Sequence, residues 1–161
     1  MGTPSLKTLR LAAVVAIAVV VLDQLTKAWA VAALEDEPVQ LVDGFLQLRL
    51  SFNPGAAFSS FQGVGPLIGF IAVGVIGWII MLLRQDPDPL EGLGLALVLG
   101  GAVGNLIDRF VRGDGVLDGA VVDFVDFSFF PSFNVADSAI TIGALLLVFG
   151  ALRKSNRDPT A

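Results

Sequence analysis

Histidine, cysteine and tyrosine are all absent from this 161-residue chain. Without cysteine there is no disulfide, no thiolate nucleophile and no thiolate-held metal. Without histidine there is no Ser–His or Cys–His pair, no histidine-ligated zinc and no imidazole proton shuttle. Acid–base chemistry therefore falls to Asp, Glu, Lys or water. Basic residues are scarce as well: Lys and Arg number 10 against 15 Asp and Glu, a net charge of −5. That balance argues against nucleic acid as a partner. What fills the chain is apolar, 55% of residues, with a mean hydropathy of +0.80. This is the composition of a membrane protein.

Four apolar stretches are long enough to span a bilayer, at about 9–33, 64–83, 90–110 and 134–153. The predicted fold class is an all-α integral membrane protein forming a single domain over 1–161, with polar connections at about 34–63 and 111–133. The first stretch has two readings. A basic start (Lys7, Arg10), an apolar run and Ala28-Trp29-Ala30 describe a cleavable signal peptide, or the whole segment is a spanning helix. Asp23 and Lys27, four residues apart, predict an intrahelical ion pair near the interface.

In the first connection, Phe45, Gln47, Arg49 and Ser51 alternate with Leu46, Leu48, Leu50 and Phe52. That period of two predicts a strand with one apolar face resting on the bilayer. Asn53-Pro54-Gly55 predicts a turn. Gly100 and Gly104 in the third stretch form a G-x-x-x-G pair that permits close helix approach. Asn105, Asp108 and Arg109 follow on one face near its end. The two tails and the short loop at Arg84 carry Lys7, Arg10, Arg84, Arg153, Lys154 and Arg157, while the long connections carry Arg49, Arg112 and, at the membrane edge, Arg109. The excess predicts cytoplasmic termini and both long connections outside.

Asn53, Asp108, Arg109, Asp123, Asp126 and Asp137 then gather at one membrane face. Asn134 followed by Asp137 reads as an N-cap with an acid at N3, a capping box that also suits the helix dipole. On a strand, Asp123 and Asp126 point to opposite faces, so only one joins Asp137 in a pocket. Two close carboxylates share a proton, one acting as base and the other as acid. Such a pair activates water without His, Cys or metal. Three rival readings stand beside it: a Ser–Lys dyad of Lys27 with Ser59 or Ser60, a divalent cation on Asp108, Asp123 and Asp137, and a proton- or ion-coupled transporter.

DQLTK (23–27), FNPGAAFS (52–59), GGAVGNLIDR (100–109), VVDFVDF (121–127) and FNVADS (133–138) resemble, in this order, blocks of the lipoprotein signal peptidases, the signal peptidase II family. The resemblance implies an aspartic endopeptidase of the bacterial cytoplasmic membrane with four helices and a small extracytoplasmic β-cradle. Its implied partners are membrane lipids and prolipoproteins, cut immediately before the diacylglyceryl-modified cysteine; it implies no cofactor and no metal. Asp123 and Asp137 match the catalytic pair. Asn53, Asn105, Asp108, Arg109 and Asn134 match residues that line or support the site, and Asp23 and Lys27 match architectural positions. For such a peptidase, the strand-rich segment Leu41–Phe52 is expected to brace the scissile peptide by pairing its backbone. The link Phe110–Ala120 is longer than the family pattern and adds Asp114 and Asp118.

Overall fold

The structure, a computed structural model, describes residues 6–55 and 65–157. Four helices carry most of the chain: α1 (Leu6–Ala33), α2 (Gly65–Leu83), α3 (Pro89–Val111) and α4 (Val135–Arg157). All four are long and apolar enough to cross a membrane. Helix α3 is the hub, packed against each of the others. Its start is well defined, because Asp88 caps it by accepting from the Leu90 and Glu91 amides and Pro89 occupies the first turn. Helix α1 is built into this bundle, with Asp23 and Lys27 fully buried. Helix α4 runs on to Arg157, so Arg153 and Lys154 belong to a helix and not to an irregular tail. Lys154 reaches back to Asp88 (2.9 Å) and Glu91 (2.8 Å), fastening the end of α4 to the start of α3.

Glycine lets α3 approach both neighbours. Gly100 faces the Ala16 carbonyl and Val19 of α1, and Gly104 faces Asp23. Gly101 lies directly on the Ala136 carbonyl and Ile140 of α4. A methyl there meets backbone that cannot turn aside, so Gly101→Ala should separate α3 from α4. We expect it to cost about 1–3 kcal/mol, read as a lower unfolding temperature in detergent. Gly77→Ala, where a methyl meets open space, is the neutral comparison.

The connections fold into one antiparallel sheet of order β1-β2-β3-β4: Val39–Val42, Leu46–Asn53, Val121–Phe127 and Phe130–Phe133. Periodicity reveals only β2. The first strand is four residues long, β3 is a near-continuous apolar run because it is buried on both faces, and β4 contains Pro131. Proline is tolerated in β4 because that strand lies at the sheet edge. Two expectations for the first connection need correction. Leu48 and Leu50 rest on Ala30, Leu34 and Phe124, and not on lipid. Along Leu46–Leu48, β2 is already paired with β1 on one side and β3 on the other. That half of β2 has no free edge to brace a second peptide, which leaves Arg49–Phe52 and the outer edge of β1 at Leu41 and Val42 for the role.

Candidate active site

The end of β2, the start of β3, the last turns of α1 and α3 and the first turn of α4 meet at one end of the bundle. Asn134 organises the junction. Its Oδ1 accepts from the Asp137 amide (2.9 Å) and its own amide donates to Asp137 Oδ2 (3.2 Å), a reciprocal capping box. Its Nδ2 lies 2.7 Å from Asp123 Oδ1 and 3.2 Å from Asn105 Oδ1. Asn105 in turn donates to Asp137 Oδ1 at 2.8 Å. Asp123 and Asp137 are therefore held by one asparagine between them and a second alongside.

Asn53 completes the shell. Its Nδ2 donates to Asp123 Oδ2 (3.2 Å) while its Oδ1 accepts from the Gly55 amide (3.1 Å). It is both turn residue and site residue. Asp126, three positions from Asp123, points away and accepts from Gln47, Arg49 and Ser132 at 2.7–2.9 Å. The hydrogen bond from Arg49, more than any other partner, holds the Asp126 carboxyl below the usual carboxylate range. Neighbours on one strand thus have opposite environments.

Asp123 is 3% exposed, and burial pushes its pKa up from 3.8 to about 6, with the charge of Asp137 adding to the effect against the hydrogen bonds of Asn53 and Asn134. A carboxyl whose folded pKa is raised binds its proton more tightly when folded, so stability falls as pH rises from the unfolded value through the folded one. The favourable contribution is fully present below pH 3.8 and is lost above about 6; it amounts to about 3 kcal/mol. Relative to Asp123→Asn, the wild-type chain should lose that stability between about pH 4 and pH 7 in thermal unfolding. A pH-independent difference would remove the assignment.

Beneath the pair lies a second, drier network. Lys27 Nζ contacts Asp23 Oδ2 (2.8 Å), Asp108 Oδ2 (2.9 Å) and Asn105 Oδ1 (2.8 Å), all three side-chain protons engaged. Asp23 also accepts from the Ala136 amide at 2.9 Å, satisfying an open donor at the start of α4. Asp108 accepts from the Val122 amide at 3.1 Å and from Arg112 at 3.2 Å. Among the described residues no buried side-chain polar atom lacks a partner. The expected Asp23–Lys27 pair exists, and it is fully buried and forms part of the site's foundation. Arg109 is buried and within electrostatic reach of Asp123 and Asp137, yet its described side-chain hydrogen bond goes to the Gly119 carbonyl at 3.4 Å.

A cleft of about 550 Å³ opens beside the pair, lined by Asn53, Phe130, Phe133, Asp137, Thr141 and Ile142 among others. Its sheet side carries Asn53 and Ser132 among Phe130, Pro131 and Phe133, and its α4 side carries Asp137, Ser138, Thr141 and Ile142.

Residues 15–153 match the family model described as Signal peptidase (SPase) II, most of the chain. The chain belongs to the signal peptidase II family. The Lipoprotein signal peptidase of Rhodococcus jostii is 51% identical over 136 residues, covering 84% of this chain and 69% of the relative. That of Polynucleobacter necessarius is 43% identical over 162 residues, covering 94% of each. A solved bacterial membrane enzyme superposes with a TM-score of 0.82 at 26% identity, covering 100% of this chain and 98% of the other. As a signal peptidase II, the chain is a multi-pass membrane protease, and the transporter reading is not supported.

In this signal peptidase II the side-chain geometry also disfavours a Ser–Lys dyad and a carboxylate-held cation. Lys27 has no free position from which to serve as a base, and Ser59 and Ser60 lie outside the described residues. Asp108 is committed to Lys27, Arg112 and a backbone amide, and among the described residues no three carboxylates converge as metal ligands. Two supporting residues escape a reading of the sequence: Gln24, which donates to the Gly104 carbonyl (3.1 Å) and Asp108 (3.3 Å), and Arg112 on Asp108. Arg112 has a signal, its four-residue spacing from Asp108. Gln24 has only its place beside Asp23. The longer link is ordered by Asp118, which accepts from the Gly115 amide (3.0 Å), and by Gly119 on the Arg109 carbonyl (3.0 Å).

Proposed function

We propose that Asp123 and Asp137 are the catalytic pair of an aspartic endopeptidase that cuts prolipoproteins immediately before the diacylglyceryl-modified cysteine. The observation that carries this reading is the joint suspension of both carboxyls from Asn134 and Asn105, with Asp137 on an open cleft. A water between the carboxyls is polarised by both. One aspartate takes its proton as the oxygen attacks the scissile carbonyl, and the pair then protonates the leaving amine. Asn53, Asn105 and Asn134 hold the carboxyls in register. Asp108 and Arg109 fix the end of α3 and the loop above it, and Asp23 and Lys27 anchor the whole from below.

The cleft supports a lipidated substrate. Its wall passes from Asp137 to Thr141 and Ile142 on α4, so acyl chains can lie against the helix while the peptide reaches the pair. The basic residues at the opposite end, among them Lys7, Arg10, Arg84 and Lys154, favour cytoplasmic termini and an active site near the outer face of the bacterial cytoplasmic membrane. The chain then acts as one membrane-embedded unit, with lipid and prolipoprotein as its partners.

The test is cleavage of a peptide carrying a diacylglyceryl-cysteine by the reconstituted chain. Mass spectrometry should find the lipidated cysteine as the new N-terminus. Equal cleavage of the unlipidated peptide, or a cut elsewhere, would refute the substrate assignment.

A further inference from the structure

The link after α3 takes no part in the proposed chemistry, yet one of its residues is held in a costly conformation. Leu117 has φ +59°, in the left-handed region that a side chain disfavours, and is only 7% exposed. Its neighbours Val116 and Asp118 are exposed. Strain of this kind persists only where the surroundings hold it. The Gly119 amide ties the link to the Arg109 carbonyl, and Asp118 closes it on the Gly115 amide. Leu117 is thereby delivered to one place, the start of α2. A β-carbon on Gly69 would lie 2.6 Å from the Leu117 β-carbon and 3.1 Å from its Cδ1, so the leucine rests directly on the helix backbone.

Helix α2 has few other anchors at this end. Its buried residues are Gly65, Gly69, Ile79 and Leu83. Ile79 and Leu83 fix the far end in a core shared with α1 and α3. The site end buries only glycine, so Leu117 supplies the buried side chain from outside. The start of α2 bears in turn on the residues that close β2. A β-carbon on Gly65 would lie 3.0 Å from the Pro54 carbonyl oxygen and 3.5 Å from Asp118 Cα, and one on Gly55 would lie 3.2 Å from Gly65 Cα. The Gly55 amide donates to Asn53 Oδ1, which turns Asn53 Nδ2 toward Asp123. Contact therefore runs unbroken from Leu117 through Gly69, Gly65 and Gly55 to Asn53 and the carboxyl.

We propose that Leu117 is a positioning residue: by seating the start of α2 it holds the Pro54–Gly55 turn in place and aims Asn53 at Asp123. This role rests on the assignment of Asp123 to the catalytic pair. It gives the glycine-rich link a part in the reaction without touching the substrate.

The test is a double-mutant cycle of Leu117→Ala and Asn53→Ala in the full chain, with kcat and KM on the lipidated peptide followed against pH. Leu117→Ala should lower kcat about tenfold with KM little changed, as misplacing a group near the chemistry does. Burial raises Asp123 to about 6, and the Asn53 hydrogen bond opposes that rise. Loosening Asn53 should therefore carry the limb of the profile set by Asp123 to higher pH, by about half a pH unit. Asp137, Asn134, Lys27 and Arg109 also act on Asp123 and are left in place. In the Asn53→Ala background, Leu117→Ala should add less than about twofold. Leu117→Met, which keeps the contact, should restore both kcat and profile. Leu117→Gly, which relieves the backbone but removes the side chain, should restore neither. An unmoved pH profile, or recovery in Leu117→Gly, would overturn the inference. If Leu117→Ala fails to fold, Gly69→Ala disturbs the same contact from α2 and must show the same non-additivity with Asn53→Ala. Losses that multiply across the cycle, beside an inactive Asp123→Asn, would overturn this role and leave the pair standing. Full activity in Asp123→Asn would overturn both.

Discussion

Asp123→Asn and Asp137→Asn are each expected to lower kcat/KM on a lipidated peptide by about 10³-fold or more, in line with the loss of a positioned acid or base. The chain offers no substitute, since histidine, cysteine and tyrosine are absent. The shape of asparagine preserves most of the local packing. Asn134 still finds an oxygen at position 123, and at position 137 the amide hydrogen bond to Asn134 is made by the backbone. The fold should therefore survive, and the loss should appear in kcat more than in KM. Asp126→Asn is the matched comparison. That carboxylate ties β2 to β4 through Arg49 and Ser132 and does not face the pair, so its loss should leave kcat within a few-fold.

The second large effect is on stability. Lys27→Met should destabilise the fold by about 3–5 kcal/mol, because it leaves Asp23 buried without its cation and Asp108 with Arg112 alone. Both carboxylates are 0% exposed, so solvent cannot relieve the repulsion between them. The cost comes from breaking the group, not from the worth of the group itself. A triple variant, Asp23→Asn with Lys27→Met and Asp108→Asn, should recover much of it, because a neutral set replaces an unbalanced one. The measurement is thermal unfolding of wild type, Lys27→Met and the triple variant in one detergent. The folded fraction of Lys27→Met should keep kcat within about tenfold of wild type, since Lys27 touches Asn105 but not the reacting groups. Abolition of kcat in a fully folded Lys27→Met would instead restore the Ser–Lys dyad.

Much of the site is legible in residue types and spacing. Length and apolarity are enough to locate four helices to within a few residues. The Asn134–Asp137 spacing foretells a capping box, and strand geometry separates Asp123 from Asp126. What spacing does not convey is convergence. Asp23 and Lys27 read only as an intrahelical pair, because i,i+4 spacing describes a helix face and is silent on what packs against it. Here that face meets Asp108 and the first turn of α4, where Gly104 allows Asp23 to approach. The sheet is equally hidden. A strand buried on both faces, as β3 is, loses the alternation that exposes strands to sequence reading, and β4 is short and interrupted by proline. Arg109 matches a site position by resemblance, yet its observed hydrogen bond is to the loop carbonyl of Gly119. Its neighbourhood depends on a glycine-rich link whose path no periodicity describes.

The central claim is that Asp123 and Asp137 act as one unit on one water. A double-mutant cycle tests it most directly: kcat for wild type, Asp123→Asn, Asp137→Asn and the double variant, on the same lipidated peptide and with folding confirmed for each. Groups that function only together are grossly non-additive. The double variant should be no slower than the slower single variant, within a few-fold. Losses that multiply, or a single variant that retains wild-type kcat, would contradict the claim.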